Sequence, residues 1–206
     1  MHGLKEYRAA NPVAALVLAH GAGAGQKNTW MVKAAHALSE RGITVFTFDF
    51  PYMATGRKVP DRAPVLEASW REALEAARAE AQDLPIFIGG KSMGGRIATH
   101  IAAQGVEGVS GIVLLGYPLH PPGAPEKRRD AHLPDITQPV LFVQGANDPF
   151  GNEHEIAALL PMMQKATLRV VASGDHSLKV KGGATAQQLA FDDAMDTVVG
   201  WIRGIA

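Results

Sequence analysis

Cysteine is missing from the 206-residue sequence, which excludes disulfide bonds, thiolate metal ligands and a cysteine nucleophile. Net charge is missing as well, because 20 Lys and Arg residues balance 20 Asp and Glu residues. Without a basic field, nucleic acid and anionic membrane surfaces are not expected as partners. The longest apolar run, Val13–Ala19, is far too short to cross a bilayer. The amino terminus lacks the apolar centre of a signal peptide, so we expect a cytoplasmic protein, whose oligomeric state the composition leaves open.

Short aliphatic or β-branched runs alternate with longer alanine-rich segments along the chain. The runs are almost continuously apolar, as in strands that helices cover on both faces. The predicted strands are Ala14–Ala19, Ile43–Phe48, Pro85–Ile88, Gly111–Leu115, Val140–Gln144 and Leu168–Ala172. The predicted helices are Thr29–Glu40, Ala63–Ala81, Met93–Ala103, Glu153–Met163 and Ala186–Ile205. This alternation predicts one α/β domain over residues 1–206, with a mostly parallel sheet of about six to seven strands, helices on both faces and no separate cap domain.

The segment Gly90–Gly94, with the sequence GKSMG, admits two interpretations. Its Gly-Lys-Ser resembles the end of a phosphate-binding P-loop, and its Gly-x-Ser-x-Gly is the motif of many serine hydrolases. A P-loop needs a glycine five positions before the Gly-Lys-Ser, because backbone N–H groups across that loop wrap the phosphates. Here the position is Pro85, which has no N–H and begins the predicted strand. The sequence therefore argues against a nucleotide site.

The hydrolase interpretation agrees with the residues on either side of Ser92. A nucleophile elbow needs a strand, a sharp turn and a helix, with small residues two positions before and after the serine. Residues 86–88 supply the strand, Gly90 and Gly94 are the small residues, and RIATHIAAQ supplies the helix. The positive end of that helix would point towards a developing oxyanion.

Two later residues are candidates for the partners that a serine nucleophile requires. A base must accept the hydroxyl proton, and an acid must hold the base in the correct tautomer. Asp148 and His176 each follow a predicted strand, and the order serine, acid, histidine is that of hydrolases with this elbow. Taken singly, Asp148 could be a turn residue and His176 a solvated loop residue. His20 and His120 are alternative bases, because both could approach the same pocket.

The candidate oxyanion hole comes from two parts of the chain. One backbone N–H must follow the nucleophile, and the other must come from the loop after an earlier strand. Met93 supplies the first, and the loop HGAGAG supplies the second, from Ala22 or alternatively from Gly23. The same loop could also be a plain glycine-rich turn.

Six segments of the sequence together resemble the α/β-hydrolase superfamily. They are HGAGAG, FDFPYM, GGKSMGGR, GYPLHPPGAPEKRRDAHL, VQGANDPFG and GDHSLK. More narrowly, they resemble the small cap-less dienelactone-hydrolase-like group that includes testis-expressed protein 30 and KANSL-type subunits of the non-specific lethal complex. The resemblance implies an α/β-hydrolase fold with Ser92 as nucleophile, Asp148 as acid and His176 as base. The sequence departs from the family in one respect: it begins close to the first buried strand, so we expect the usual leading antiparallel strands to be short or missing.

The leading hypothesis is a serine hydrolase that acts on a small ester-like molecule through an acyl-enzyme. The substrate class would be a carboxylic ester, a thioester or a lactone, and neither a metal nor an organic cofactor is required. One alternative is a non-catalytic protein-binding module of the same fold. The other is an acyltransferase or perhydrolase that uses the same three residues.

Four residues are weaker candidates for contacts with a small-molecule substrate: Tyr52, His120, Arg128 and Arg129. The last three lie in the long loop 118–135, which emerges where larger relatives insert a cap. Its basic residues could attract a carboxylate-bearing substrate. A solvated charged loop explains the same residues without a substrate.

Overall fold

Seven strands form one sheet in the computed structural model, which describes residues 3–206. The strands are β1 (Lys5–Tyr7), β2 (Ala14–Ala19), β3 (Ile43–Phe48), β4 (Ile86–Lys91), β5 (Gly111–Leu115), β6 (Val140–Gly145) and β7 (Ala166–Val171). The helices are α1 (Thr29–Glu40), α2 (Pro51–Ala54), α3 (Ala63–Ala81), α4 (Met93–Ala103), α5 (Glu153–Ala157) and α6 (Gly183–Arg203). The spatial order of the strands in the sheet is β1-β3-β2-β4-β5-β6-β7, and only the short β1 is antiparallel to its neighbour. This confirms the predicted mostly parallel α/β sheet.

The central strands are buried on both faces because their side chains alternate between two hydrophobic cores. In β2, Val17 and Ala19 face the core that α3 and α4 cover, whereas Leu16 and Leu18 face the core that α1 and α6 cover. All four side chains are fully buried. An almost continuous apolar run is therefore what a strand in this position needs.

The last strand departs from that expectation. Side chains of β7 alternate between exposed and half-buried as far as the buried Val171, because β7 pairs only with β6 and lies at the edge of the sheet. The strand also begins two residues earlier than predicted, at Ala166.

The predicted helix over 153–163 is wrong in its second half. The helix α5 ends at Ala157, and a separate 3₁₀ turn follows at Leu160–Met162. Pro161 lies within that turn, and proline cannot donate the backbone hydrogen bond that a continuous helix needs. The beginning of α5 is well specified, because the Asn152 side chain and the Glu155 side chain form a capping box.

The carboxyl ends of the parallel strands meet at one edge of the sheet. Ala19 pairs with Gly90, Lys91 pairs with Leu115, and Gly145 pairs with Val171, so the loops after these strands are neighbours. In the described residues no separate cap domain covers this edge. No helix among residues 3–206 is both long enough and apolar enough to cross a membrane.

Candidate functional site

Ser92 lies on a sharp turn between the end of β4 and the beginning of α4. Its backbone has φ 52° and ψ −119°, a conformation that non-glycine residues rarely adopt and that costs about 1–3 kcal/mol. The flanking glycines permit this turn, because a Cβ on Gly90 or Gly94 would lie 2.5 or 2.4 Å from the carbonyl oxygen of Ala19. The structure therefore places Ser92 in the elbow geometry that the sequence predicts.

The structure brings Ser92, His176 and Asp148 together in series. His176 Nε2 lies 2.8 Å from Ser92 Oγ, and His176 Nδ1 lies 2.8 Å from Asp148 Oδ2. An ionised Asp148 can only accept, so Nδ1 carries the proton in the neutral imidazole and Nε2 is free to accept the serine hydroxyl proton. This arrangement can generate a nucleophile at Ser92.

Two neighbours that the sequence analysis missed hold the acid and the imidazole. The buried amide of Gln144 donates to Asp148 Oδ2 over 2.8 Å, and the Phe150 N–H donates to Asp148 Oδ1 over 2.8 Å. The Phe150 ring also packs on the His176 ring, with 4.2 Å between centroids. A signal for Gln144 was present in the sequence, since it is a polar residue at the end of an otherwise apolar strand.

Lys91, the residue before Ser92, is a second omission of the sequence analysis. Only 9 % of Lys91 is exposed, and its ammonium group donates to the main-chain oxygen of His176 over 2.5 Å. Burial lowers the pKa of Lys91 to about 8, although the negative charges of Asp148 and Asp175 oppose the shift. A lysine at the end of a strand therefore contacts the loop of the candidate base instead of solvent.

The candidate oxyanion donors Met93 and Ala22 line the same cavity as Ser92. Met93 is the first residue of α4, so its N–H has no earlier helical carbonyl to bond, and no side chain caps this helix. The alternative donor, Gly23, already donates its N–H to the Tyr52 hydroxyl over 3.0 Å, which favours Ala22.

A second contact fixes the loop that carries Ala22. The Gln26 N–H donates to Asp49 Oδ1 over 2.6 Å, and its side-chain amide donates to Asp49 Oδ2 over 3.3 Å. Both Tyr52 and Asp49 follow β3, so the segment after β3 anchors the loop after β2.

Ser92 and His176 open into a cavity of about 690 Å³. Part of its wall is apolar, from Trp30, Met31, Pro60 and Leu66. Its charged lining residues are Asp61, Lys91, Arg96, Arg129 and Lys179. The cations outnumber the single carboxylate, and Asp61 is already paired with Arg57 at 2.8 Å. The cavity therefore combines an apolar wall with an excess of positive charge.

Of the weaker substrate candidates, only Arg129 lines this cavity. Tyr52 is fully buried and bonds the loop after β2, while His120 is 5 % exposed and lies 3.0 Å from Glu155 Oε1. Arg128 is exposed and pairs with Asp130. These three side chains were expected near substrate, but local contacts hold them elsewhere.

His20 does not approach Ser92 as an alternative base. Its ring is fully buried, with Nδ1 at 2.8 Å from the Gly21 carbonyl oxygen and Nε2 accepting the Phe50 N–H over 3.2 Å. Burial also lowers the pKa of His20. Its place in the structure is that of a core residue.

Arg96 contacts the cavity from α4, one helical turn beyond Ser92, and the sequence analysis missed it as well. Its nearest side-chain partner is His100 Nε2 at 3.3 Å, and its shielded Nε has no partner among residues 3–206. Burial, followed by the neighbouring charge of Arg129, lowers the pKa of Arg96. Among residues 3–206, no three His, Asp or Glu side chains form a group that could hold a metal ion.

Comparison with known proteins agrees with this architecture. A dienelactone hydrolase from Anabaena variabilis is 19% identical, with a TM-score of 0.77 over 98% of this chain and 91% of its own. Est1E from Butyrivibrio proteoclasticus, solved with ferulic acid bound, is 15% identical, with a TM-score of 0.74 over 98% and 95%. A serine hydrolase without a lid from Xanthomonas campestris is 18% identical, with a TM-score of 0.73 over 96% and 87%. The family model described as an alpha/beta hydrolase domain matches residues 12–203, and the chain therefore belongs to the alpha/beta hydrolase family.

Proposed function

We propose that this protein is a serine hydrolase that cleaves small ester-like substrates through an acyl-enzyme. The observation that carries the proposal is the series of two 2.8 Å contacts from Ser92 Oγ through the His176 ring to Asp148. Membership of the alpha/beta hydrolase family supports the same class of chemistry.

In the proposed first step, Ser92 Oγ attacks the substrate carbonyl carbon while His176 Nε2 accepts the hydroxyl proton. Asp148 accepts the Nδ1 hydrogen bond and stabilises the imidazolium that forms. The carbonyl oxygen becomes negatively charged and accepts hydrogen bonds from the N–H groups of Met93 and Ala22. The bond to the leaving group then breaks, and the leaving group takes the proton from His176.

In the proposed second step, water replaces the leaving group. His176 removes a proton from water, the hydroxide attacks the acyl carbon, and the bond to Ser92 Oγ breaks as the serine regains its proton. The second step restores the free enzyme and releases a carboxylic acid.

The cavity supports a small substrate that is accessible from solvent. Trp30 and Leu66 offer apolar contacts, and no separate cap encloses the site in the described residues. Among the structural neighbours are Est1E, solved with ferulic acid bound, and a dienelactone hydrolase, which makes carboxylic esters and lactones the first substrates to test, with thioesters next. Three expectations from the sequence stay predictions. They are a closer relation to testis-expressed protein 30 and the KANSL-type proteins, a single domain over residues 1–206, and a cytoplasmic location.

Covalent labelling with a fluorophosphonate probe tests the proposal directly. We expect the natural chain to be labelled and to hydrolyse p-nitrophenyl acetate, and we expect Ser92→Ala to lose both properties because the nucleophile is gone. His176→Ala should reduce both by several orders of magnitude, up to about 10⁶-fold for turnover.

Ser110→Ala is the matched control, since Ser110 lies before β5, at the opposite end of the strands from Ser92. It should retain full labelling and turnover. Equal labelling of the natural chain and Ser92→Ala would remove the proposed nucleophile, and a folded natural chain without labelling or turnover would favour the non-catalytic binding module. Product analysis with added alcohol, amine or peroxide separates hydrolysis from acyl transfer.

A further inference from the structure

The ammonium group of Lys91 occupies an unusual place for a lysine. It comes from the last residue of β4, is almost buried, and donates to the main-chain oxygen of His176 over 2.5 Å. This contact joins the residue before the proposed nucleophile to the residue that is the proposed base. It joins the end of β4 to a loop 85 residues away in the chain.

Gly116 leaves the space that this contact needs. A Cβ at this position would lie 3.0 Å from Lys91 Nζ and 2.6 Å from the His176 main-chain oxygen. Gly116 also has φ +68°, which suits glycine better than other residues. The backbone after β5 is therefore shaped around the bond between Lys91 and His176.

The charge of Lys91 also balances a buried carboxylate. The Asp148 side chain is fully shielded from solvent, and within residues 3–206 no Lys or Arg forms a salt bridge with it. Its partners are the neutral amide of Gln144, the Phe150 N–H and the His176 ring. A buried carboxylate needs a compensating charge, and the ammonium group of Lys91 acts on it electrostatically.

We propose that Lys91 is a positioning residue of this active site, whose ammonium group fixes the backbone of His176 and supplies the counter-charge of Asp148. This inference rests on the proposed serine hydrolase function. Lys91 forms no bond with the reacting atoms. It acts through His176, because a firmly held main-chain oxygen keeps the imidazole within 2.8 Å of both Ser92 Oγ and Asp148 Oδ2.

Loss of this contact should act mainly on the chemical step. A misplacement of about 1 Å in a catalytic group can cost about 100-fold in rate. Lys91→Met removes the hydrogen bond and the charge while keeping an unbranched side chain of similar length. We therefore expect kcat for p-nitrophenyl acetate to fall about 100-fold, with KM for this neutral ester almost unchanged.

The dependence of activity on pH separates this role from a purely structural one. The charged or titratable groups that face Lys91 are Asp148, Asp175 and His176, and the Trp30 ring lies 5.9 Å from Nζ. Because the pKa of Lys91 is about 8, the natural chain should lose kcat progressively above this pH as the ammonium group is neutralised. Lys91→Met should lack this alkaline decline, because it has no proton to lose at this position.

The experiment measures kcat and KM from pH 6 to 10 for the natural chain and for Lys91→Met, Lys91→Arg and Lys181→Met, with circular dichroism to verify folding. Lys91→Arg keeps a positive charge over the whole range, so we expect it to recover part of the lost activity and to lack the alkaline decline. Lys181→Met is the matched control from the loop that carries His176. Lys181 is exposed, and this variant should keep both the activity and the pH profile of the natural chain.

Failure of this inference differs visibly from failure of the proposed function. A labelled and active natural chain whose Lys91→Met variant keeps its kcat within about threefold, or keeps the same alkaline decline, overturns the role of Lys91 alone. If Lys91→Met does not fold, an unchanged alkaline decline in Lys91→Arg overturns it equally. A natural chain that the fluorophosphonate probe never labels overturns both proposals.

Discussion

The substitution Gly94→Ala is a sharp test of the elbow geometry. Gly94 lies in α4, where alanine normally stabilises a helix. Here, however, the new Cβ would lie 2.4 Å from the Ala19 carbonyl oxygen, 2.6 Å from the Ala19 carbonyl carbon and 2.7 Å from the His20 oxygen. All three neighbours are backbone atoms, so no side chain can rotate away to make room.

The size of the effect follows from these distances. An ordinary contact needs at least 3.4 Å, so the backbone after β2 must move by about 1 Å relative to α4. Overpacking of this kind costs about 1–3 kcal/mol, and the helix propensity of alanine returns about 1 kcal/mol. We therefore expect a net destabilisation of up to about 2 kcal/mol. Activity should fall further, about 100-fold, because the displaced backbone leads directly to the proposed oxyanion donor Ala22.

Urea unfolding and p-nitrophenyl acetate turnover measure the two effects, and Gly200→Ala is the matched control. Gly200 also lies within a helix, α6, but a Cβ there meets no heavy atom within 4 Å. Its replacement should stabilise the fold by about 0.5–1 kcal/mol and leave turnover unchanged. The reasoning is refuted if Gly94→Ala stabilises the protein as much as Gly200→Ala does and keeps full turnover.

Two further predictions concern the charged residues of the cavity. Arg96→Ala and Arg129→Ala should each raise KM about 10- to 100-fold for an ester that carries a carboxylate, because each removes a charged hydrogen bond. In the same steady-state assays, KM of these variants for a neutral ester should stay unchanged. The exposed control Arg128→Ala should keep the KM of the natural chain for both esters. Equal effects on both esters would contradict an anion-binding role. Lys91→Met should gain at most about 3 kcal/mol of stability at pH 7, because the folded state holds Lys91 with a pKa of about 8 instead of 10.5 and its charged form therefore costs stability below pH 8. The lost bond to the His176 main-chain oxygen and the lost counter-charge of Asp148 subtract from this gain. This difference should shrink as pH rises from 8 to 10.5 in paired urea titrations, and a difference that grows instead would contradict the buried charge.

Much of the fold was predictable because strand and helix periodicity reflects burial directly. The predicted bounds of α1, α3 and α4 agree with the structure, and the strand candidates β2, β3 and β5 agree residue by residue. The failure at Pro161 was avoidable, since a proline within a predicted helix indicates a break. The exposure of β7 was not predictable from its residues alone, because it depends on which strand ends at the edge of the sheet.

Some residues of the candidate site could likewise be predicted from the sequence, and others could not. The residues Ser92, Asp148 and His176 could be proposed together because each follows a strand in the order that the chemistry requires. Arg96 was also within reach, since it lies four residues after Ser92 and therefore on the same helical face. Lys91 was not, because a sequence cannot reveal that a strand-end lysine turns inward to a loop 85 residues away.

The two anchors of the loop after β2 have a consequence for how substrate binds. The Tyr52 hydroxyl and the Asp49 carboxylate hold residues 23 and 26 through their N–H groups, and neither anchor requires a ligand. The scaffold thus preorganises the backbone around Ala22 during folding, before any encounter with an ester. Association should then incur little conformational entropy cost in this loop, so that calorimetry on an inert substrate analogue would detect hardly any ordering of the loop.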